Sequence, residues 1–183
     1  MEIFVPDVYQ KSIYDINYKK LKKKGIKCLL FDLDNTIAPY AMSVPDNKIK
    51  DLFAELEDDF KVIIMSNSGK ERLRPFKEKL NVDVAFKARK PLKKKYKKIM
   101  EIYNFKDSEI ACIGDQIMTD ILGGNRMGFT TSTLGTFISL YVFITSFVIF
   151  KTSTINKTKL AFLFISLIIS FCSFGKLTSL ASL

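Results

Sequence analysis

Histidine is absent from this 183-residue chain, and its three cysteines, Cys28, Cys112 and Cys172, are widely separated. The sequence therefore contains neither a disulfide framework nor a zinc-ligand pattern. Cys28 and Cys112 lie within apolar runs, so we expect them to be inert core thiols. The first residues lack the basic segment and the long apolar run of a secretory signal, and we predict no signal peptide.

Acidic residues are absent after Asp120, and proline is absent after Pro91. Two uncharged stretches occur in this region, residues 127–150 and residues 160–175. The first is long enough to span a bilayer, whereas the second is marginal against the usual requirement of about 20 residues. Two explanations stay open for the end of the chain: a hydrophobic helical membrane tail, or an extension translated out of frame.

The chain has 29 basic and 19 acidic residues, a formal charge of +10 that suits anionic partners. The strongest basic run, residues 93–98, is interpreted as the solvated face of a helix. No recognised nucleic-acid motif or aromatic stacking platform accompanies it, so we predict no nucleic-acid partner. Attraction to anionic lipid headgroups is the better functional alternative. The sequence carries no signal of oligomeric state.

Apolar runs alternate with helical patterns between residues 27 and 129, which predicts an α/β fold with a parallel sheet and right-handed crossovers. The apolar runs are residues 28–31, 62–65, 82–86 and 110–113. The predicted helices follow Pro45, span residues 70–80, follow Pro91, and follow Asp115 as far as Gly123 and Gly124. We therefore divide the chain into a basic N-terminal segment (1–26), an α/β core (27–129) and the tail (130–183).

Polar side chains follow all four apolar runs, where each predicted strand ends. In chain order they are Asp32 and Asp34, then Ser66, then Lys90, then Asp115 and Asp120. Carboxylates at this edge are costly without a metal or hydrogen-bond donors. The carboxyl edge of an open α/β sheet is also where ligands bind.

This ordered set resembles the four motifs of the haloacid dehalogenase (HAD) superfamily of phosphohydrolases. Residues 4–7, 87–91 and 114–128 are more closely similar to the YqeG-type, subclass IIIA phosphatases, which are similar to the phosphatidylglycerophosphate phosphatase of fungal mitochondria. The resemblance implies a Rossmann-like HAD core and dephosphorylation of phosphatidylglycerophosphate. Two alternatives stay open: a phosphatase of a soluble phosphorylated metabolite, and an inactive membrane-associated protein with an altered C-terminus.

The resemblance also assigns catalytic roles to individual residues. Asp32 would be the nucleophile that forms an aspartyl-phosphate, and Asp34 the general acid and base. Ser66 and Lys90 would bind and neutralise the phosphoryl group, with Asn67 as a further substrate-binding residue. Thr36 would support the loop by bonding its backbone.

A magnesium site is implied by the same resemblance. Its ligands would be the carboxylates of Asp32 and Asp115 and the backbone carbonyl of Asp34, because Mg²⁺ prefers hard oxygen ligands. Asp120 would support the metal ligands without binding the metal itself. Its alternative role is that of a helix N-terminal acid favoured by the helix dipole.

The spacing of the motifs leaves no room for a cap domain, because each gap holds only one helix and, after the second and third motifs, the next strand. We therefore expect an open site, from which the substrate itself excludes water. Such a site suits a phosphorylated lipid presented on a membrane surface. We expect a cytoplasmic catalytic domain that associates with the membrane through its tail.

Overall fold

The computed structural model describes residues 2–135. Six parallel strands form one sheet in the order β1-β6-β5-β2-β3-β4. The strands are β1 (Val8–Gln10), β2 (Cys28–Phe31), β3 (Lys61–Met65), β4 (Asp83–Ala85), β5 (Ile110–Gly114) and β6 (Thr130–Leu134). The predicted α/β fold with a parallel sheet is therefore confirmed.

Helices connect these strands across both faces of the sheet. They are α1 (Tyr18–Lys23), α2 (Asn47–Glu57), α3 (Lys70–Leu80), α4 (Lys93–Tyr103) and α5 (Leu122–Met127). A turn of π-helix, Ile117–Ile121, precedes α5. Within the described residues, each connection from β2 to β6 holds the short helical elements of a plain crossover and no inserted domain.

The central strands are buried on both faces, as expected for a parallel sheet that is covered by helices on each side. Successive side chains of β2 alternate between two apolar clusters, one containing Leu29 and Phe31 and the other Cys28 and Leu30. Helices α2 and α3 pack on the first cluster, and α4 packs on the second through Tyr96. These two layers fix the strand ends that carry the polar residues.

The sheet includes residues before and after the predicted core of residues 27–129. Residues 8–10 form the edge strand β1, and residues 130–134 form β6 between β1 and β5. The Thr- and Ser-rich sequence of β6 is weakly apolar, yet residues 131–134 are buried because strands flank it on both sides. Sequence hydrophobicity alone does not mark such a strand.

The predicted end of the last helix at Gly123 and Gly124 is wrong. Helix α5 passes through both glycines and ends at Gly128, which caps it in the left-handed conformation at a φ of 80°. A Cβ on Gly124 would lie 2.6 Å from Thr131 Cγ2, and one on Gly123 would collide with the Tyr96 hydroxyl. These glycines allow close packing and do not stop the helix.

No helix among residues 2–135 is both long enough and apolar enough to cross a bilayer. The predicted hydrophobic helical tail covers residues 130–183. Its first residues are not helical, because residues 130–134 form strand β6, and the part after Gly135 lies outside the described residues.

Candidate active site

The carboxyl ends of four neighbouring strands, β5, β2, β3 and β4, meet at one edge of the sheet. The predicted site residues that follow these strands come together there. Several of them line a cavity of about 130 Å³. Its lining consists of Asp32, Asp34, Ser66, Asn67, Ser68, Lys90, Gln116 and Thr119. Parallel pairing in this strand order therefore assembles residues that are up to 87 positions apart along the chain.

Lys90 is buried and joins two of the acids. Its Nζ lies 2.6 Å from Asp32 Oδ1 and 2.6 Å from Asp120 Oδ1. Burial alone would lower the pKa of Lys90, but the two carboxylates outweigh it and raise the pKa. The ammonium group is therefore held in its charged form between the two acids.

Burial raises the pKa of Asp32 to about 6; Asp120 adds to the rise, and Lys90 opposes it. Burial also raises the pKa of Asp115 to about 6, with the Asp32 charge as the next cause. The pKa of Asp120, which is 1% exposed, is raised chiefly by burial. Three neighbouring carboxyl groups thus share the positive charge of a single lysine.

These three acids form a cluster that fits a divalent cation. One carboxylate oxygen each from Asp32, Asp115 and Asp120 lie within 4.8 Å of one another. When all three carboxylates are ionised, Lys90 compensates one negative charge and leaves two for a bound cation to compensate. Hard oxygen donors with this charge suit Mg²⁺. Asp120 thereby joins the predicted pair, while the Asp34 carbonyl remains a prediction as a ligand.

Asp34 is held apart from this cluster by two residues that the sequence analysis missed. Ser68 Oγ donates a 2.8 Å hydrogen bond to Asp34 Oδ2, and Arg72 Nε donates a 2.9 Å bond to Asp34 Oδ1. Both side chains of the Arg72–Asp34 ion pair are largely buried. The two aspartates of the first motif therefore have different partners, lysine for Asp32 and serine with arginine for Asp34.

Arg72 also ties down the loop that follows β2. Its Nη1 donates a 2.5 Å hydrogen bond to the carbonyl of Met42, and its guanidinium lies 5.5 Å from the centre of the Tyr40 ring and 5.1 Å from that of Phe76. The sequence carries a weak signal for this role, because Arg72 is the third residue of the helix that follows the Ser66 loop. Only the folded chain brings that helix turn to Asp34.

Ser66 and Asn67 organise the backbone of the site. Ser66 Oγ accepts a 3.1 Å hydrogen bond from the Ser68 N–H. The Asn67 amide clamps Lys90: its Oδ1 accepts from the Lys90 N–H at 2.7 Å, and its Nδ2 donates to the Lys90 carbonyl at 3.3 Å. Asn67 therefore positions Lys90, and a substrate contact for Asn67 remains a prediction.

The π-helical turn after β5 carries Asp120, whose side chain is buried. Asp120 Oδ2 accepts a 3.2 Å hydrogen bond from the Gln116 N–H, and a Cβ on Gly114 would overlap the Asp120 carboxylate. Thr36 Oγ1 lies 3.5 Å from Asp115 Oδ1, at the long limit of a hydrogen bond. Thr36 thus contacts an acid of the cluster from the opposite loop.

The sequence matches a known family over most of its length. The family model described as mitochondrial PGP phosphatase matches residues 1–136. Probable phosphatase YqeG of Bacillus subtilis is 35% identical over 147 residues, which cover 80% of this chain and 86% of that protein. Phosphatidylglycerophosphate phosphatase 1, chloroplastic/mitochondrial, of Arabidopsis thaliana is 26% identical over 145 residues, which cover 71% of this chain and 40% of that protein.

Solved structures share the fold. A protein described as a HAD superfamily (subfamily III A) hydrolase from Legionella pneumophila has a TM-score of 0.51 at 18% identity, over 68% of this chain and 75% of that one. The cobalt-bound deoxy-D-mannose-octulosonate 8-phosphate phosphatase of Haemophilus influenzae has a TM-score of 0.50 at 17% identity, over 66% of this chain and 75% of that one. At these identities the likeness establishes a HAD-like fold.

Proposed function

The chain belongs to the mitochondrial PGP phosphatase family and is a HAD-type phosphatase, and from this premise we propose that it hydrolyses the terminal phosphomonoester of phosphatidylglycerophosphate with Mg²⁺ as cofactor. The observation that supports the proposal most directly is that Asp32 and Asp34, two residues apart in the sequence, have different partners. Asp32 faces the acidic cluster and Lys90, while Asp34 faces Ser68 and Arg72. Two carboxylates with separate partners suit two separate chemical roles.

Asp32 is the proposed nucleophile. One of its carboxylate oxygens forms a bond to phosphorus as the bond from phosphorus to the lipid oxygen breaks, which gives an aspartyl-phosphate and an alcohol. Lys90 holds Asp32 Oδ1 at 2.6 Å and thereby fixes the carboxylate before attack. Lys90 and the hydroxyl of Ser66 are proposed to compensate the charge of the phosphoryl oxygens.

Asp34 is the proposed general acid and base. Its protonated form donates a proton to the departing lipid oxygen, and the resulting carboxylate then takes a proton from the water that attacks the aspartyl-phosphate, which restores the acid. That second step releases inorganic phosphate and restores Asp32. The hydrogen bonds from Ser68 and Arg72 hold Asp34 in one orientation through both proton transfers.

The carboxylates of Asp32, Asp115 and Asp120 are the proposed metal-holding residues. A bound Mg²⁺ would supply positive charge next to the phosphoryl group and lower the cost of bringing an anionic substrate to an acidic cluster. Thr36 steadies Asp115. The proposed site of action is the cytoplasmic surface of a membrane, where the lipid substrate would be presented.

A direct assay of purified full-length protein tests the proposal. We expect phosphate release from phosphatidylglycerophosphate in mixed micelles, dependence on Mg²⁺, and loss of activity in excess chelator. Asp32→Asn should reduce release to background at nearly constant side-chain volume, whereas Asp51→Asn, an exposed carboxylate on α2, should not affect the rate.

Two outcomes would contradict parts of this proposal. Full activity in chelator would refute the magnesium requirement. Hydrolysis of soluble phosphomonoesters such as glycerol 3-phosphate, without hydrolysis of the lipid, would refute the lipid substrate and favour a soluble metabolite.

A further inference from the structure

The cavity at the active site is small compared with an ordinary ligand pocket. Its volume of about 130 Å³ falls below the roughly 300–1,000 Å³ of pockets that enclose a whole small molecule. It therefore encloses the phosphoryl end of a substrate and little more. The remainder of a larger substrate must lie against the surface that surrounds the opening.

Five large apolar side chains with exposed fractions between 36% and 72% lie in the loops that follow β2, β4 and β5, the strands whose loops also carry the site residues. We call them the apolar rim: Tyr40, Val44, Phe86, Leu92 and Met118. Single exposed apolar side chains are ordinary on a protein surface, but a group of them at one edge of the sheet is typical of a contact surface.

Strand direction places all five at the same edge of the sheet. Tyr40 and Val44 lie in the loop that follows β2, Phe86 and Leu92 in the loop that follows β4, and Met118 in the turn that follows β5. The carboxyl ends of parallel strands share an edge, and the catalytic residues lie in the same loops. The rim and the cavity therefore lie at the same edge of the sheet.

Cations are interleaved with the rim. The Lys95 ammonium lies 5.6 Å from the centre of the Phe86 ring. Lys87 and Arg89 are exposed and have positive φ angles of 45° and 56°, a conformation that is uncommon for such residues. Residues 84–100 contain eight lysines and arginines, of which Lys90 is buried, and no acid.

We propose that the apolar rim docks on an anionic phospholipid bilayer, so that the active site opens directly onto the membrane surface. The apolar side chains would enter the boundary between headgroups and acyl chains, and the neighbouring cations would pair with anionic headgroups. This inference rests on the proposed function in one respect, that the substrate is a phospholipid. It assigns docking to the catalytic face, independently of the tail.

A local fluorescence measurement tests rim insertion in the full chain. In a Cys172→Ser background, an environment-sensitive fluorophore is attached through Leu92→Cys or, as control, through Ile102→Cys; the other two cysteines are buried. Ile102 is also exposed, but it lies at the C-terminal end of α4, whereas Leu92 immediately precedes the start of that helix. Position 102 is therefore near the opposite edge of the sheet. Vesicles of phosphatidylglycerol and phosphatidylcholine should shift the emission to the blue at position 92 and not at position 102.

Strand β6, which precedes the tail, also ends at this edge of the sheet, so the measurement is repeated with Phe86→Ser, which should reduce the blue shift at position 92 if the rim itself inserts and leave it unchanged if the tail alone binds. Equal responses at the two positions would overturn the docking of this face. Equal responses at position 92 to anionic vesicles and to pure phosphatidylcholine would overturn the choice of an anionic surface.

A kinetic comparison tests the use of the rim in turnover. Phe86→Ser/Leu92→Ser should lower hydrolysis of vesicle-borne phosphatidylglycerophosphate by about tenfold and leave hydrolysis of a soluble ester unchanged. The control Val5→Ser/Ile102→Ser removes two apolar side chains that are 62% and 61% exposed outside the rim, and should change neither rate. Equal losses in the two double variants would overturn the proposal.

Failure of the proposed function gives a different result. It appears as an absence of lipid hydrolysis by the unaltered chain, whereas the fluorescence measurement uses vesicles without substrate and still reports whether the rim docks.

Discussion

Lys90 is a residue whose chemistry is set by its neighbours in space. As a surface side chain it would be an ordinary solvated lysine, but here it is buried between Asp32 and Asp120. Buried charges are tolerated only in compensated sets, and removing one member leaves the others uncompensated. The amide of Asn67 holds the Lys90 backbone on both sides, which fixes where this charge lies.

Arg72 is expected to act as a positioning residue for Asp34. Arg72→Ala removes the guanidinium contacts to Asp34 Oδ1, so the carboxylate loses its fixed orientation for proton transfer. We expect kcat on a soluble ester to fall by about tenfold to a hundredfold, with little change in KM. Steady-state kinetics measure both constants.

The matched control is Arg74→Ala, which removes an exposed arginine that pairs with Glu78 on the same helix. It should leave kcat unchanged, and Arg72→Lys should recover part of the loss. A change in KM alone for Arg72→Ala would contradict the positioning role.

Asp115 should make the metal-free protein sensitive to pH. Its folded-state pKa of about 6 lies above the ordinary value of 3.8, so the folded protein binds this proton more tightly than the unfolded chain does. Stability from this group is therefore present below pH 3.8 and is lost as the pH rises to about 6. In chelator, Asp115→Asn should raise Tm above pH 6 and have little effect near pH 3.5.

Thermal unfolding across this pH range measures the effect, with Asp51→Asn as the exposed control. A lower Tm for Asp115→Asn at high pH in chelator would show that this carboxylate stabilises the metal-free fold, against the expected sign.

At the scale of elements, the contact between α4 and α5 supports the base of the site. The Tyr96 ring is fully buried and packs edge-on against Phe129 with its hydroxyl directed at α5. Helix α5 can approach only because Gly123 has no side chain there. This contact holds the π-helical turn that carries Asp120.

Gly123→Ala should therefore destabilise the protein. The added methyl group meets the Tyr96 hydroxyl in a packed interior, where overpacking costs about 1–3 kcal/mol. Gly69→Ala is the control, because a Cβ at the start of α3 meets no atom within 4 Å and should cost less than about 1 kcal/mol. Urea denaturation measures both, and equal free energies of unfolding would contradict the packing argument.

At the scale of the whole described molecule, the N-terminal residues complete the sheet. Asp7 Oδ2 accepts a 2.7 Å hydrogen bond from the Thr131 N–H and a 3.2 Å bond from its hydroxyl. β1 then pairs with β6 across a separation of 124 residues. Residues 2–10 and 130–134 thus together form one lateral side of the sheet.

Asp7→Ala should weaken the contact between the N-terminal residues and β6 without changing the active site. The Thr131 N–H loses its partner, and an unsatisfied donor of this kind costs about 1–3 kcal/mol. We expect a lower free energy of unfolding in urea and an unchanged kcat for the folded enzyme. Asp51→Ala is the control, and a fall in kcat for Asp7→Ala would show that the edge communicates with the site.

Local patterns predicted the central fold because its strands are continuous apolar runs. β2, β3 and β5 were predicted within a residue or two, and so was α3. The edge strand β1 and the polar strand β6 were missed as parts of the core, since their places depend on pairing with each other. Gly123 and Gly124 were misread because a glycine that permits close packing looks the same in sequence as a glycine that ends a helix.

The sequence by itself determined which acids, serine and lysine follow the strands, because residue order along a parallel α/β chain places them at one edge. Only the tertiary structure determines which of these side chains form ion pairs with one another. Lys90 reaches Asp32 and Asp120, and Asp34 receives Arg72 from a helix 38 residues away. Such pairings depend on distances across the sheet edge, which are set by strand order and helix packing and are invisible to local sequence patterns.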